Sequence, residues 1–201
     1  MVIGFERIAL VGDKVRLRPT GPDDAADAYR LVTDEAVLSW LLWEGPADEA
    51  ELSGTYRRWQ AELKTGESYN FAIERCDQPG LIGCIGPRLM AHPLQADIGY
   101  WLGVPYWNRG YMTEAIRLIC HFSFGYLDAI RVYATVMTGN VGSRRALEKN
   151  GFSLDGTLRS HVIKRGQWQD EWFLTLLRFE WQTDRERFCP RKEDIVLAGS
   201  G

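Results

Sequence analysis

The chain has 201 residues, of which 45% are hydrophobic, 12% aromatic and 25% charged, and its formal net charge is −3. A chain of this size and make-up is most simply one globular domain that buries well over half of its unfolded surface. The charge balance gives no general attraction to nucleic acid or to an anionic membrane, so any phosphate site must be local. No apolar run approaches the roughly 20 residues of a spanning helix, and charges stand too early in "MVIGFERIALVGDK" for a secretory signal. Cys76, Cys84, Cys120 and Cys189 form no CxxC pair, and the three histidines are widely spaced, which favours reduced thiols, a cytoplasmic protein and no metal site.

In chain order, "KVRLRPT" alternates and ends at a proline, so it reads as a strand. "GPDDAADAYRLVTDE" follows with Pro22 near its start, acids in the first turn and apolar Ala25, Ala28, Tyr29 and Val32 at helical spacing. A second helix fits "ADEAELSGTYRRWQAELKTG", with Leu52, Tyr56, Trp59 and Leu63 on one stripe and Gly66 as its stop. "YNFAIER", "GLIGCIGPRLM" and "LQADIGYWL" form a meander of three strands, the first two joined by the turn "CDQPG". "MTEAIRLICHFSFGY" is a long helix ending near Gly125, "IRVYATVMTGN" a buried strand, and "SRRALEKNGF" a short helix closed at Asn150-Gly151. "TLRSHVIKRG" and "EWFLTLLRFEW" are two last strands that meet at a turn around Gly166. This order describes an α+β domain over residues 1–182, with a mostly antiparallel seven-stranded sheet and about four helices. Its one parallel crossover runs from "ADIGYWL" through the long helix to "IRVYATV". The charged tail, residues 183–201, is expected to be mobile.

The stretch "WNRGYMTEA" lies between a strand and a helix, where the first helical N–H groups lack intrahelical partners and carry the positive end of the dipole. Asn108, Arg109, Gly110, Tyr111 and Met112 stand where such donors would face an anion. Gly110 frees the backbone, Arg109 adds charge, Thr113 could cap the helix and Glu114 suits its dipole. A plain strand-to-helix connection is the competing reading. There is no GxxxxGK[ST], and the glycines of "GLIGCIGP" lead into a proline and not a helix.

"ADIGYWLGVPYWNRGYMTEA", "TGNVGSRRALEKNGF" and "DGTLRSHVIKRGQWQDEW", in that order and spacing, resemble the GNAT N-acetyltransferases. More narrowly they resemble the branch of ribosomal-protein N-terminal acetyltransferases (RimJ/RimL-like), over roughly Lys14 to Trp181. The resemblance implies a GNAT fold in which a splayed parallel strand pair holds acetyl-CoA as acyl-donor cosubstrate. The pantetheine would lie along Trp101, Leu102, Gly103 and Val104, and the pyrophosphate on the loop from Trp107 to Thr113. The family's loop pattern falls on Trp107, Gly110 and Met112, and only Gly110 matches strictly, with Arg109 able to supply the missing cation. Asn140 is expected at the pantetheine and Ser143 near the sulfur, with Arg144, Arg145 and Lys149 as candidate partners of the CoA phosphates or as a solvated basic helix face.

Acetyl transfer from a thioester to an amine needs a deprotonated amine, a polarised carbonyl with its oxyanion held, and a proton for the leaving thiolate. For the carbonyl the resemblance points to a backbone N–H near Leu102 or Gly103. Ser143 is the candidate proton donor, or else a helix cap. Asp97 is a candidate base, or else a solvent-face residue paired with an arginine. The further acid that the ribosomal-protein branch carries is replaced here by Val162, with His161 beside it as an alternative base. His161 and Val162 cannot both face the cleft without a bulge. Tyr100, Tyr111 and Tyr133 are other candidate acids, or core aromatics. Trp40, Trp43 and Glu44, with Tyr100, are expected to line the acceptor site, an ammonium resting against a ring; the tryptophans could equally be packing residues.

These features favour direct acetyl transfer to a primary amine, with a protein N-terminal α-amine ahead of a small-molecule amine. A non-catalytic acyl-CoA-binding module is the rival from another class. No nucleic-acid or membrane partner is implied. The edges of "HVIKRG" and "EWFLTLLRFEW" could pair across a homodimer.

Overall fold

A computed structural model gives the structure of residues 8–90, 94–183 and 195–197. In its first hairpin, β1 (Ile8–Val11) and β2 (Val15–Pro19), alternation places Ile8, Leu10, Val15 and Leu17 in the core and leaves Arg16 outside. A 3-10 turn at Pro22–Asp24 leads into α1 (Ala25–Val32), and a single helical turn, α2 (Glu35–Leu38), is capped by Asp34. α3 (Glu49–Thr65) starts where the Asp48 side chain accepts the N–H of Glu51 and stops at Gly66, whose φ of +77° suits a residue without Cβ.

The meander is β3 (Phe71–Arg75), β4 (Gln78–Leu89) and β5 (Gln95–Leu102). α4 (Tyr111–Gly125), β6 (Arg131–Met137) and α5 (Val141–Glu148) follow. A long hairpin of β7 (Ser153–Lys164) and β8 (Gln167–Leu177), the helix α6 (Arg178–Thr183) and the strand β9 (Ile195–Leu197) complete the described chain.

The strands form one open sheet in the order β7-β8-β6-β5-β4-β3-β2-β1-β9, antiparallel except between β5 and β6. One face carries α4 and α5 through Ile116, Ile119, Phe122 and Leu147. The other carries α1, α2 and α3, whose Ala28, Val37, Leu52 and Tyr56 meet Ala72, Leu81 and Cys84 of the sheet.

The α+β class, the meander and the single parallel crossover agree with the sequence expectation. The sheet has nine strands among the described residues, not seven, and there are six α-helices, not four. β1 offers only four residues of pattern, and α2 is one turn, too short for a helical period to show. "RFEW" is β-like in composition but helical. Glu180 accepts the N–H of Leu177 at 2.8 Å, and the Arg178 guanidinium binds the carbonyls of Ala129 and Phe124, which turns the chain off the sheet. Within the tail, Ile195–Leu197 pairs with β1, and the rest of the expectation for 183–201 falls outside the described residues apart from Thr183 at the end of α6.

β5 and β6 are paired only where Gln95, Ala96 and Asp97 face Arg131, Val132 and Tyr133. From Ile98 to Leu102 β5 continues along β4 while β6 diverges, so the sheet opens into a wedge at its C-terminal end.

Candidate active site

The wedge has a defined set of backbone donors. Gly103 gives its N–H to the Ile82 carbonyl at 3.0 Å, which removes it as a donor to a thioester. An antiparallel ladder alternates its hydrogen-bonding direction, so the N–H groups of Leu102 and Tyr100 point away from β4, toward the gap. Of the two backbone positions expected, the geometry supports Leu102. The Leu102 carbonyl is taken by the indole Nε1–H of Trp107 at 2.7 Å. Trp107 therefore buttresses the strand end where the family pattern would have a polar side chain.

Below it, Asn108 (φ +59°) and Gly110 (φ +83°) both adopt left-handed backbone, and Gly110 is the N-cap of α4 with no side-chain cap. Thr113 is thus a third-position residue and not the cap, and the first N–H groups of α4 are left for an anion. A Cβ on Gly110 would lie 3.3 Å from Lys14 Nζ, which donates to the Arg109 carbonyl at 3.2 Å. Lys14 is held there by Glu114. That buried carboxylate accepts the N–H groups of Asp13, Lys14 and Val15 at 3.0, 2.7 and 2.8 Å, and Gly12 alone leaves it room. The dipole role expected of Glu114 is thus joined by this clamp, and Lys14 was not expected at the site, because a contact across 95 positions leaves no local pattern.

At the open side of the wedge, Tyr100 Oη and Ser143 Oγ are 2.8 Å apart. Asn140 Oδ1 caps α5 by accepting the Ser143 N–H at 3.1 Å, so Ser143 is not the cap and its hydroxyl is turned to the phenol. The cap leaves only the Nδ2 donors of Asn140 for a pantetheine amide. Burial pushes the Tyr100 phenol well above its ordinary value, so it stays protonated.

The acceptor end differs more from expectation. Trp40 lines the cleft beside Gly139, but Trp43 and Glu44 do not. Glu44 instead pairs with the buried Lys164 at 2.9 Å and with Arg165 at 3.6 Å, and Lys164 also donates to the Trp43 carbonyl. Arg165 binds Glu35 as well, so these ion pairs bridge the α2 segment to the tip of the β7–β8 hairpin. Asp97 lines the cleft but is paired across the strands with Arg88, which matches its alternative reading. The bulge needed at His161 is present. The β7–β8 register shifts between Leu158 and Val162, Ser160 has φ +46°, and Asp170 accepts the Ser160 N–H. His161 does not line the cleft itself. Its Nδ1 is 2.6 Å from Glu171 Oε2, and Glu171, missed by the sequence reading, does line it.

All of this surrounds one cleft of about 690 Å³, enough for an extended cosubstrate arm and an acceptor end. Its walls include Trp101, Leu102, Trp107, Asn108, Gly110 and Tyr111. Met112, Thr113, Asn140, Ser143 and Arg145 complete the expected set. Gly103, Val104 and Arg109, also expected there, do not line it, and Arg109 is exposed. Arg144 is drawn to the Trp172 ring, 4.8 Å from its centroid, whereas Arg145 and Lys149 face the cleft. Tyr133 packs on Phe173 outside it.

Residues 14–153 match the family described as acetyltransferase (GNAT) domain. The chain belongs to the GNAT acetyltransferases. It is 38% identical over 174 residues to a probable N-acetyltransferase, YjcK, of Bacillus subtilis, covering 84% of this chain and 96% of that one. It is 27% identical over 172 residues to the [ribosomal protein uS5]-alanine N-acetyltransferase of Escherichia coli, covering 79% and 87%. Mycobacterium smegmatis RimJ in complex with CoA-disulfide has the same fold, with TM-score 0.78 at 22% identity, covering 94% of this chain and 100% of that one.

GNAT acetyltransferases use acetyl-CoA, and the residues here fit it. The wedge offers backbone donors, the αL turn at Gly110 bares the start of α4, and Lys14, Arg145 and Lys149 supply cations where Trp107 and Met112 do not. Among the described residues no helix is long and apolar enough to cross a membrane, and no cluster of His, Cys, Asp or Glu is placed to hold a metal ion.

Proposed function

We propose that this N-acetyltransferase transfers the acetyl group of acetyl-CoA directly to a primary amine in a ternary complex, and that the favoured acceptor is a protein N-terminal α-amine. The observation that carries the reading is the Tyr100–Ser143 pair at the mouth of the wedge. A phenol kept protonated by burial can donate to Ser143 Oγ, and in that direction it frees the serine hydroxyl hydrogen for the departing sulfur. The N–H of Leu102 is the donor for the developing oxyanion. Acetyl-CoA, when bound, supplies the activated thioester.

Charge supports a singly charged acceptor over a polyamine. Both carboxylates on the cleft, Asp97 and Glu171, already have a partner, so the site lacks the open acidic lining a polycation needs. Trp40, Leu41 and Met137 give an apolar wall beside it for a small first side chain. Thiol release is expected with peptides that begin with a free small residue, and none with the same peptides N-acetylated. A second reading, a small-molecule amine, draws on the ion pairs of Glu35 and Glu44 with Lys164 and Arg165, which tie the α2 segment next to the cleft-lining Trp40 to the hairpin tip. Turnover confined to small amines would establish that reading and overturn the first.

A further inference from the structure

We propose that Glu171 is the group that takes the proton from the acceptor ammonium, with His161 as the positioning residue and proton outlet behind it. The inference rests on the acetyltransferase reading of the cleft and assigns that reaction its base. Glu171 lies on β8 opposite Met137 of β6, on the cleft wall, and its side chain is only 5% exposed. A buried carboxylate is costly to charge unless something compensates it. Its partner here is an imidazole, 2.6 Å away and 47% exposed. The partner of Asp97 is the guanidinium of Arg88, which has no proton to exchange, whereas the partner of Glu171 is an imidazole, a group that can pass a proton on.

The rest of the surroundings agree. β6 opposes Glu171 with Met137, and β7 with Leu158 and the bulge that carries His161. The other carboxylate on the cleft is Asp97. The cleft cations are Arg88, paired with it, and Arg145 and Lys149 at the CoA end on α5. The phenols are Tyr100, with Ser143, and Tyr106 and Tyr111 at the loop.

In the step, the ammonium N–H bond breaks and its proton passes to the Glu171–His161 pair. The nitrogen keeps the electron pair with which it attacks, and the half-exposed imidazole returns a proton to water. The bulge at Ser160 is what turns His161 to this position.

The test follows thiol release from acetyl-CoA, with a peptide bearing a free N-terminal alanine, from about pH 6 to about pH 9.5, a range that spans the α-amine pKa. Glu171→Gln should lower kcat/KM for the peptide about 10²-fold near neutral pH and leave the KM for acetyl-CoA unchanged. The deficit should shrink as pH rises past about 8, where the amine deprotonates in solution. His161→Asn can still donate to Glu171 but cannot carry the proton, so it should give a smaller loss with the same trend. A loss equal at every pH, a loss under about 3-fold, or a raised acetyl-CoA KM in its place would overturn the assignment. If Glu171→Gln does not fold, His161→Asn, at a half-exposed position, decides alone by the same criteria. A wild-type enzyme that releases thiol with no primary amine overturns the acetyltransferase reading itself; active wild type with normal variants overturns only the role of Glu171.

Discussion

Ser143 Oγ stands 2.8 Å from the Tyr100 phenol, and both residues line the cleft. Ser143→Ala removes the hydroxyl between Tyr100 and the cleft; kcat should fall about 10²-fold with the acetyl-CoA KM nearly unchanged. Tyr100→Phe leaves Ser143 without its phenol partner and should cost less, since the serine can take a water in its place. Steady-state kinetics on both variants separates a relay from a packing contact, because a packing defect would also lower Tm. Gly110→Ala forces a Cβ onto φ +83° and to 3.3 Å from Lys14 Nζ. It should cost about 1 kcal/mol of stability and weaken acetyl-CoA binding, read by calorimetry. Gly110 was the most legible residue of the site, because one glycine before a helix signals both a turn and bared donors. Glu171 and Lys14 were not legible: one is an ordinary acid in an alternating strand, and the other acts across the whole meander.

The elements that carry the site were largely readable from period and punctuation. β5, α4, β6 and α5 all announced themselves by alternation, helical spacing and glycine stops. What the period could not show was how β7 and β8 meet the α2 segment, since the contact joins Glu35 and Glu44 to Lys164 and Arg165 through charges on a hairpin tip. Those pairs tie the α2 segment, next to the cleft-lining Trp40, to the hairpin tip. Lys164→Met keeps the buried volume and removes the charge, so the KM for the amine should rise severalfold while that for acetyl-CoA does not. The hydrogen bond from Lys164 holds the Glu44 carboxyl below its ordinary value of 4.5, and that from Arg165 does the same for Glu35. A carboxyl lowered by folding stabilises above its unfolded value and loses that contribution as pH falls through the folded one. The Tm advantage of wild type over Arg165→Ala should therefore be fully present above about pH 4.5 and be lost progressively as pH falls from there through the lowered folded value.

At the scale of the molecule, one sheet with helices on both faces holds a single wedge, and the two helical layers contribute different halves of the site. α4 lines it with Tyr111, Met112 and Thr113 and α5 with Ser143 and Arg145, while α2 and the residues after it line it with Val37, Trp40, Leu41 and Leu42. Saturating acetyl-CoA, at about 100 times its Kd, should stabilise the whole domain by about 2.7 kcal/mol, seen as a rise in Tm. The clamp made by Glu114 has a consequence at this same scale. It ties the turn between β1 and β2 to the first turn of α4, about 100 positions away in the chain, through three backbone amides. Occupation of the loop should therefore be recorded in the first hairpin: deuterium uptake at Asp13, Lys14 and Val15 should slow when acetyl-CoA is added. In Glu114→Ala the same amides should exchange fast whether the cosubstrate is present or not. Three amides near the start of the chain become a reporter of a ligand they need not touch.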